Sequence, residues 1–166
     1  MSSIVSTLRQ ADIFYELTPT QLELIASVSV EKRFQRGELI FGEGTEGKEL
    51  YVIASGEVDI ELDPSLVGRE PTDSVYVVAT LRRGQSFGEV ALVDEGKRSA
   101  GARAASHDTR LVVIPRDKLM LLCDTYPQLG YRLMRNLAVD LAMKIRNADL
   151  NIRERLYWQS RPKHSE

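Results

Sequence analysis

The sequence predicts a mainly β protein with flanking helices, and three features of the chain point there. Short runs rich in Val, Ile, Leu and Tyr fill residues 28–114, punctuated by glycines at 37, 42, 44, 47, 56 and 84. About eight such runs, with turn signals roughly every 8–12 residues, mark a sandwich, a barrel or a jelly roll. Helix-forming segments lie at both ends, and no Pro or Gly interrupts residues 131–160.

The first ~26 residues read as helical. Thr18-Pro19-Thr20-Gln21 offers a capping Thr, Pro in the first helical position and Gln three residues after the cap, followed by Leu22, Leu24 and Ile25. Phe14 precedes this cap and is placed to pack on the helix it opens. Strands are expected over 31–34, 39–41, 50–54, 58–62 and 74–81, then around Arg103 and over 111–114, with a loop carrying Pro64, Gly68 and Pro71 before the fifth. Val58-Asp59-Ile60-Glu61-Leu62 alternates strictly, which predicts one buried and one wet face. Tyr51-Val52-Ile53-Ala54 is continuously apolar and reads as covered on both faces.

Pro115-Arg116-Asp117 opens a helix to about Thr125. A second helix starts near Pro127 and runs to about Tyr157, with Leu133, Leu137, Leu141 and Ile145 every four residues and Ala148, Ile152 and Leu156 extending the stripe. A helix of ~27 residues is about 40 Å long, more than a domain of this size needs to cover its own core. Part of the stripe is therefore expected to face a partner. The chain divides into residues 1–126 (helical N-terminus, β domain and short helix), the long helix over 127–157, and a frayed tail over 158–166.

Charge and composition exclude several function classes. The 166 residues are 43% hydrophobic and 28% charged, with a net charge of -2, so a packed core is available and no basic excess signals general nucleic-acid affinity. Residues 127–166 carry +4 and the first 126 carry -6, a surplus that reads as the solvated face of a helix. One cysteine, Cys123, excludes an intrachain disulfide and is expected in the core. Two histidines, His107 and His164, cannot assemble a zinc cluster, and Ser106-His107-Asp108 cannot converge as a triad because the residues are adjacent. No metal site and no catalytic residue is expected. The absence of a signal peptide and of a long apolar run makes a cytoplasmic location without membrane contact the default.

The segment from Phe87 to Ala100 carries the chemistry. Gly88 lets the backbone approach a ligand closely, and Glu89-Val90-Ala91-Leu92 forms a short helical turn whose first amides suit a phosphate. Arg98 can meet two phosphate oxygens at once, Ser99 adds a hydroxyl donor, and Ala100 leaves room. A carboxylate beside an arginine suits a phosphate ester that also carries hydroxyls, with Glu89 accepting from hydroxyls and Arg98 holding the phosphate.

This stretch resembles the phosphate-binding cassette of the cyclic nucleotide-binding domains, a family that includes catabolite activator proteins, regulatory subunits of protein kinase A and cyclic nucleotide-gated channels. Phe34 to Ile40 with Glu43-Gly44, and Leu50 to Val58, are similar to the family's early strand pair and its Ser-Gly turn, so the resemblance spans roughly residues 8–150. Lys97 stands where many members have proline, and Gly101-Ala102 where eukaryotic members often have Thr-Val. The resemblance implies an eight-stranded β jelly roll (double-stranded β-helix) with N-terminal helices and a long C-terminal helix. It implies that Glu89 accepts from the ribose 2′-hydroxyl, that Phe87, Gly88, Val90 and Ala91 line the sugar phosphate, and that Arg98 pairs with the phosphate, helped by Ser99 and Ala100. The long helix becomes a lid over the base, with Lys144, Ile145 and Asn147 in reach. The ligand is read as cAMP, with cGMP as the alternative, and no cofactor is expected.

Only about ten residues follow the long helix, too few for a helix-turn-helix domain, so direct DNA binding is not expected. The expectation is a sensor that forms a homodimer through its long helix and acts on a protein effector in trans. The alternative is a dimerisation scaffold that kept the fold and binds a different ligand or none.

Overall fold

The computed structural model describes residues 3–64, 75–94 and 96–160. Gly68, Pro71, Ser74 and Glu95, and the tail beyond Ser160, lie outside the described residues. Among the described residues four α-helices and eight strands follow in order: α1 (Ser3–Gln10), α2 (Pro19–Val28), β1 (Val30–Phe34), β2 (Leu39–Phe41), β3 (Glu49–Ser55), β4 (Glu57–Leu62), β5 (Tyr76–Arg82), β6 (Ser86–Phe87), β7 (Gly101–Ala104), β8 (Thr109–Pro115), α3 (Arg116–Thr125) and α4 (Pro127–Gln159). The eight-stranded jelly roll with flanking helices is present.

The strands form two antiparallel sheets, ordered β1-β8-β3-β6 and β2-β7-β4-β5. Side chains alternate along a strand, so β3 divides its apolar run between two cores. Leu50 and Val52, with Val112 and Ile114 of β8, pack on the helices. Tyr51 and Ile53, with Leu111 and Val113, face the other sheet and meet Val58, Phe87 and Ala102. The reading of 51–53 as covered on both faces therefore holds, and Ala54 at the strand end is only half-buried.

The strict alternation read in 58–62 does not survive. Val58 is buried, but Glu61 is also buried and Leu62 is exposed. A bulge in the pairing with β5 shifts the register between Ile60 and Glu61 and turns the following residues over. Arg103 makes the inward carboxylate tolerable: its Nε donates to Glu61 Oε1 at 2.9 Å and its Nη1 to the Gly37 carbonyl at 2.8 Å.

The N-terminal layer follows its local signals. The Thr18 hydroxyl accepts from the Gln21 amide at 3.2 Å, and the Gln21 side chain accepts from the Thr18 amide at 2.9 Å, closing the capping box. Phe14 is buried against the core that Leu22 and Ile25 also enter. Cys123 is likewise a core residue, its thiol pKa raised by burial and then by Asp124.

Helix α4 is longer than expected, 33 residues and about 50 Å at 1.5 Å per residue. Its first part packs on the domain through Leu129, Leu133 and Leu137. A Cβ on Gly130 would sit 2.8 Å from the Cys123 carbonyl, so glycine permits the close crossing of α3 and α4. Asn136 Nδ2 donates to the carbonyls of Ile13 and Tyr15 at 3.0 and 2.8 Å. Beyond half-buried Leu141, every residue from Ala142 to Ser160 is exposed, and the helix continues through Tyr157 and Trp158 into what the sequence reads as tail.

Candidate functional site

A cavity of about 260 Å³ opens between the second sheet and the 87–100 segment. Its apolar wall comes from Phe41, Ile60, Ala79 and Leu81, its polar floor from Gly88 to Ala91 and Arg98 to Ala100, and Lys144 enters from α4. Phe87 is buried and stacks flat on Tyr51, ring centroids 5.0 Å apart, anchoring the start of the segment in the inter-sheet core.

Gly88 follows with φ +78°, the left-handed region that favours glycine. Residues Glu89 to Leu92 then form a single 3₁₀ turn, whose first amides have no intrahelical acceptor. Ten residues on, the backbone of Arg98 is clipped to the 44–45 turn: its amide donates to Thr45 O at 2.7 Å and its carbonyl accepts from Gly44 N at 2.8 Å. That clip aims the side chain inward.

The Arg98 guanidinium is buried and lies over the Phe41 ring, 4.1 Å from its centroid. Nη2 donates to the Glu49 carbonyl at 2.9 Å and lies 3.8 Å from the Glu49 carboxylate, while Nη1 reaches the Gly88 carbonyl at 3.4 Å. Nε is buried with no hydrogen-bond partner among the described residues. Burial lowers the Arg98 pKa, opposed by Tyr51, Glu49 and Glu89. A buried cation with an unfilled donor, at the edge of a cavity, is arranged to receive an anion.

Glu89 and Arg98 do not pair with each other. Glu89 is buried, and its Oε1 accepts from Lys144 Nζ of α4, which also contacts Asp140 Oδ2 at 2.9 Å. Burial works against the Lys144 charge, but the hydrogen bonds to Glu89 and Asp140 outweigh it and its pKa is raised.

The cavity gathers Phe87, Gly88, Glu89, Val90, Ala91, Arg98, Ser99, Ala100 and Lys144. It does not include Ile145 or Asn147. Ile145 is 63% exposed, and Asn147 lines a separate groove with Asp12, Tyr15 and Asn136. The physical reason is that α4 has already left the barrel at this height, so only a long lysine reaches back. Sequence reasoning missed Glu49, Phe41 and Asp140, the partners of the two central charges. Glu49 and Phe41 come from strands distant in sequence from Arg98, and Asp140, four residues before Lys144 on α4, joins the site only because Lys144 reaches back to Glu89. Gly47 is a further omission: a Cβ there would lie 2.8 Å from Ala91 Cβ and 3.3 Å from Arg98 Cζ.

Residues 31–126 match the family model described as Cyclic nucleotide-binding domain. The chain belongs to this family. As a cyclic nucleotide-binding domain it is 34% identical over 145 residues to the Cyclic AMP receptor protein of Thermus thermophilus, covering 87% of this chain and 62% of that protein. The chain thus spans under two thirds of that relative. The crystal structure of Thermus thermophilus Catabolite Activator Protein superposes with a TM-score of 0.70 at 33% identity, covering 86% of this chain and 62% of that one. A cyclic nucleotide-binding domain from Methylobacillus flagellatus has the same fold, with a TM-score of 0.74 at 22% identity over 98% of this chain and 85% of that one. Among the described residues no helix is long and apolar enough to cross a membrane, and no group of His, Cys, Asp and Glu is placed to hold a metal ion.

Proposed function

We propose that this domain is a cAMP sensor that signals through α4 and has no catalytic step of its own. The observation that carries the reading is the buried Arg98 guanidinium, its Nε unfilled, facing a cavity whose opposite polar group is a buried carboxylate, Glu89. The cyclic phosphate pairs with Arg98 and with the amides opening the 3₁₀ turn, Ser99 and Ala100 assisting. Glu89 accepts from the ribose 2′-hydroxyl, and the purine lies against the apolar wall of Ile60, Ala79 and Leu81. Similarity to a protein called Cyclic AMP receptor protein supports cAMP over cGMP.

The reading includes a homodimer. Ile145, Ile152 and Leu156 are exposed along one face of the part of α4 that projects from the barrel, an apolar stripe suited to a second copy of the same helix. A protein effector in trans completes the proposal.

Thermal unfolding with and without nucleotide tests it. A ligand that binds only the folded chain stabilises by RT ln(1 + [L]/Kd), about 2.7 kcal/mol at 100 Kd, so cAMP raises the melting temperature by several degrees. No shift with millimolar cAMP or cGMP overturns the sensor reading.

A further inference from the structure

Lys144 stands at a junction that sugar recognition alone does not require. Its ammonium bridges two carboxylates, Asp140 one turn back on the same helix and Glu89 on the floor of the cavity. Glu89 is 7% exposed, and an isolated carboxylate at that depth is costly unless a cation neutralises it. Arg98 does not serve, because its guanidinium is engaged by Glu49 and the Gly88 carbonyl. Lys144 is therefore the cation that lets a carboxylate sit in a cavity shaped for an anion. The bridge also spans 55 positions of sequence and is made by a residue beyond Leu141, where α4 has otherwise left the domain.

Resting on the sensor reading above, we infer that Lys144 is a positioning residue: it orients and neutralises Glu89 so that one carboxylate oxygen stays aimed at the ligand hydroxyl, and it makes that oxygen's state felt on α4. Oε1 is committed to the ammonium, which leaves Oε2 as the oxygen to meet a ligand hydroxyl. A carboxylate held by one oxygen has its second lone-pair set fixed in direction, which is what a hydroxyl donor needs. Asp140 holds the ammonium from the helix side, so the lysine does not swing freely. Losing the lysine leaves Glu89 with rotational freedom and an unbalanced negative charge near the incoming phosphate.

The test measures cAMP and 2′-deoxy-cAMP binding to the full chain by calorimetry in the wild type, Lys144→Met, Lys144→Arg, Glu89→Gln and the Lys144→Met/Glu89→Gln double variant. Amide exchange of residues 140–150 is followed in the nucleotide-free proteins. In Lys144→Met, cAMP binds about tenfold more weakly, the penalty for lacking the 2′-hydroxyl shrinks towards that of Glu89→Gln, and the helix exchanges faster. Lys144→Arg restores most of the discrimination. In the Glu89→Gln background the lysine substitution has almost no further effect on binding. Several results overturn the inference while leaving the sensor reading intact: unchanged affinity and discrimination in Lys144→Met, tighter binding, which would make the lysine a competitor of the ligand, or weaker binding with undiminished discrimination, which would make it a phosphate contact. Failure of the wild type to bind either nucleotide overturns the sensor reading, and this inference with it.

Discussion

Gly88 and Arg98 compete for the same space: a Cβ built on Gly88 would lie 2.6 Å from Arg98 Nη1 and 3.0 Å from the Glu49 carbonyl. Gly88→Ala must both adopt φ +78° and push the guanidinium off its acceptor. The backbone alone costs about 1 kcal/mol for a side chain in the left-handed region. Binding is expected to suffer more than folding, since the displaced group is the one proposed to hold the phosphate. Chemical denaturation is expected to show a loss of about 1–3 kcal/mol, and calorimetry a loss of cAMP affinity beyond tenfold.

Removing the guanidinium itself is the sharper test. One partner of a buried charge pair is worth roughly 2–5 kcal/mol when deleted, so Arg98→Ala weakens cAMP binding about 30-fold or more. Arg98→Lys recovers only part of this, because the planar fork that reaches two oxygens is lost. Unchanged affinity in Arg98→Ala, measured by calorimetry, would remove Arg98 from the ligand.

Alkaline pH probes the inter-sheet core. Tyr51 has its pKa pushed up to about 12, chiefly by burial and then by Glu49, whose carboxylate accepts from the phenol at 3.3 Å. A raised folded pKa means that the neutral phenol contributes stability fully below pH 10, and this contribution is lost as pH rises from about 10 to about 12. The melting temperature is expected to fall across that window, and to fall less in Tyr51→Phe. Parallel curves for the two proteins would show that other groups set the alkaline limit.

The projecting part of α4 makes the dimer testable. Ile145 is 63% exposed and Ile152 56% exposed, so Ile145→Glu and Ile152→Glu leave the single domain's melting temperature nearly unchanged. In a paired seam each buries a charge, which costs several kcal/mol and separates the subunits. Sedimentation velocity at tens of micromolar is expected to show a wild-type dimer and variant monomers. A wild-type monomer, with and without nucleotide, would overturn the pairing.

Ligand and helix are coupled only if the ligand prefers one arrangement of α4. Saturating cAMP is expected to slow amide exchange over 87–100 and also over 140–152. Asn147 lines a different groove from the cavity, so Asn147→Ala leaves this protection in place. Protection confined to 87–100 would rule out the lid while sparing the site.

Much of this was legible in the chain because the relevant signals are local. The Thr18–Gln21 box closes within one turn, the β3 run announces its double burial, and the cavity floor is one contiguous stretch. What escaped is non-local or too short. Strand β6 has two residues, too few for any periodicity. The β4 bulge is set by its neighbour β5, so the strand's own alternation misleads. Arg98 and Glu89 read as a natural pair in sequence, yet each takes a different partner, Glu49 and Lys144, from elements 49 and 55 positions away. Counting along α4 found Lys144 and added Ile145 and Asn147, because a count cannot see the height at which the helix departs from the barrel.

That departure gives α4 the mechanics of a lever. Its fulcrum lies between Leu141, the last side chain packed on the core, and Lys144, whose ammonium is the last tie to the floor of the cavity. From Ile145 to Gln159 every residue is exposed, and the arm runs about 22 Å at 1.5 Å per residue. A tilt of about 10° at the fulcrum carries the tip roughly 4 Å, most of one helical turn. If the nucleotide shifts the Glu89 carboxylate as proposed, the displacement would be magnified at Tyr157 and Trp158, the large aromatic pair riding at the far end.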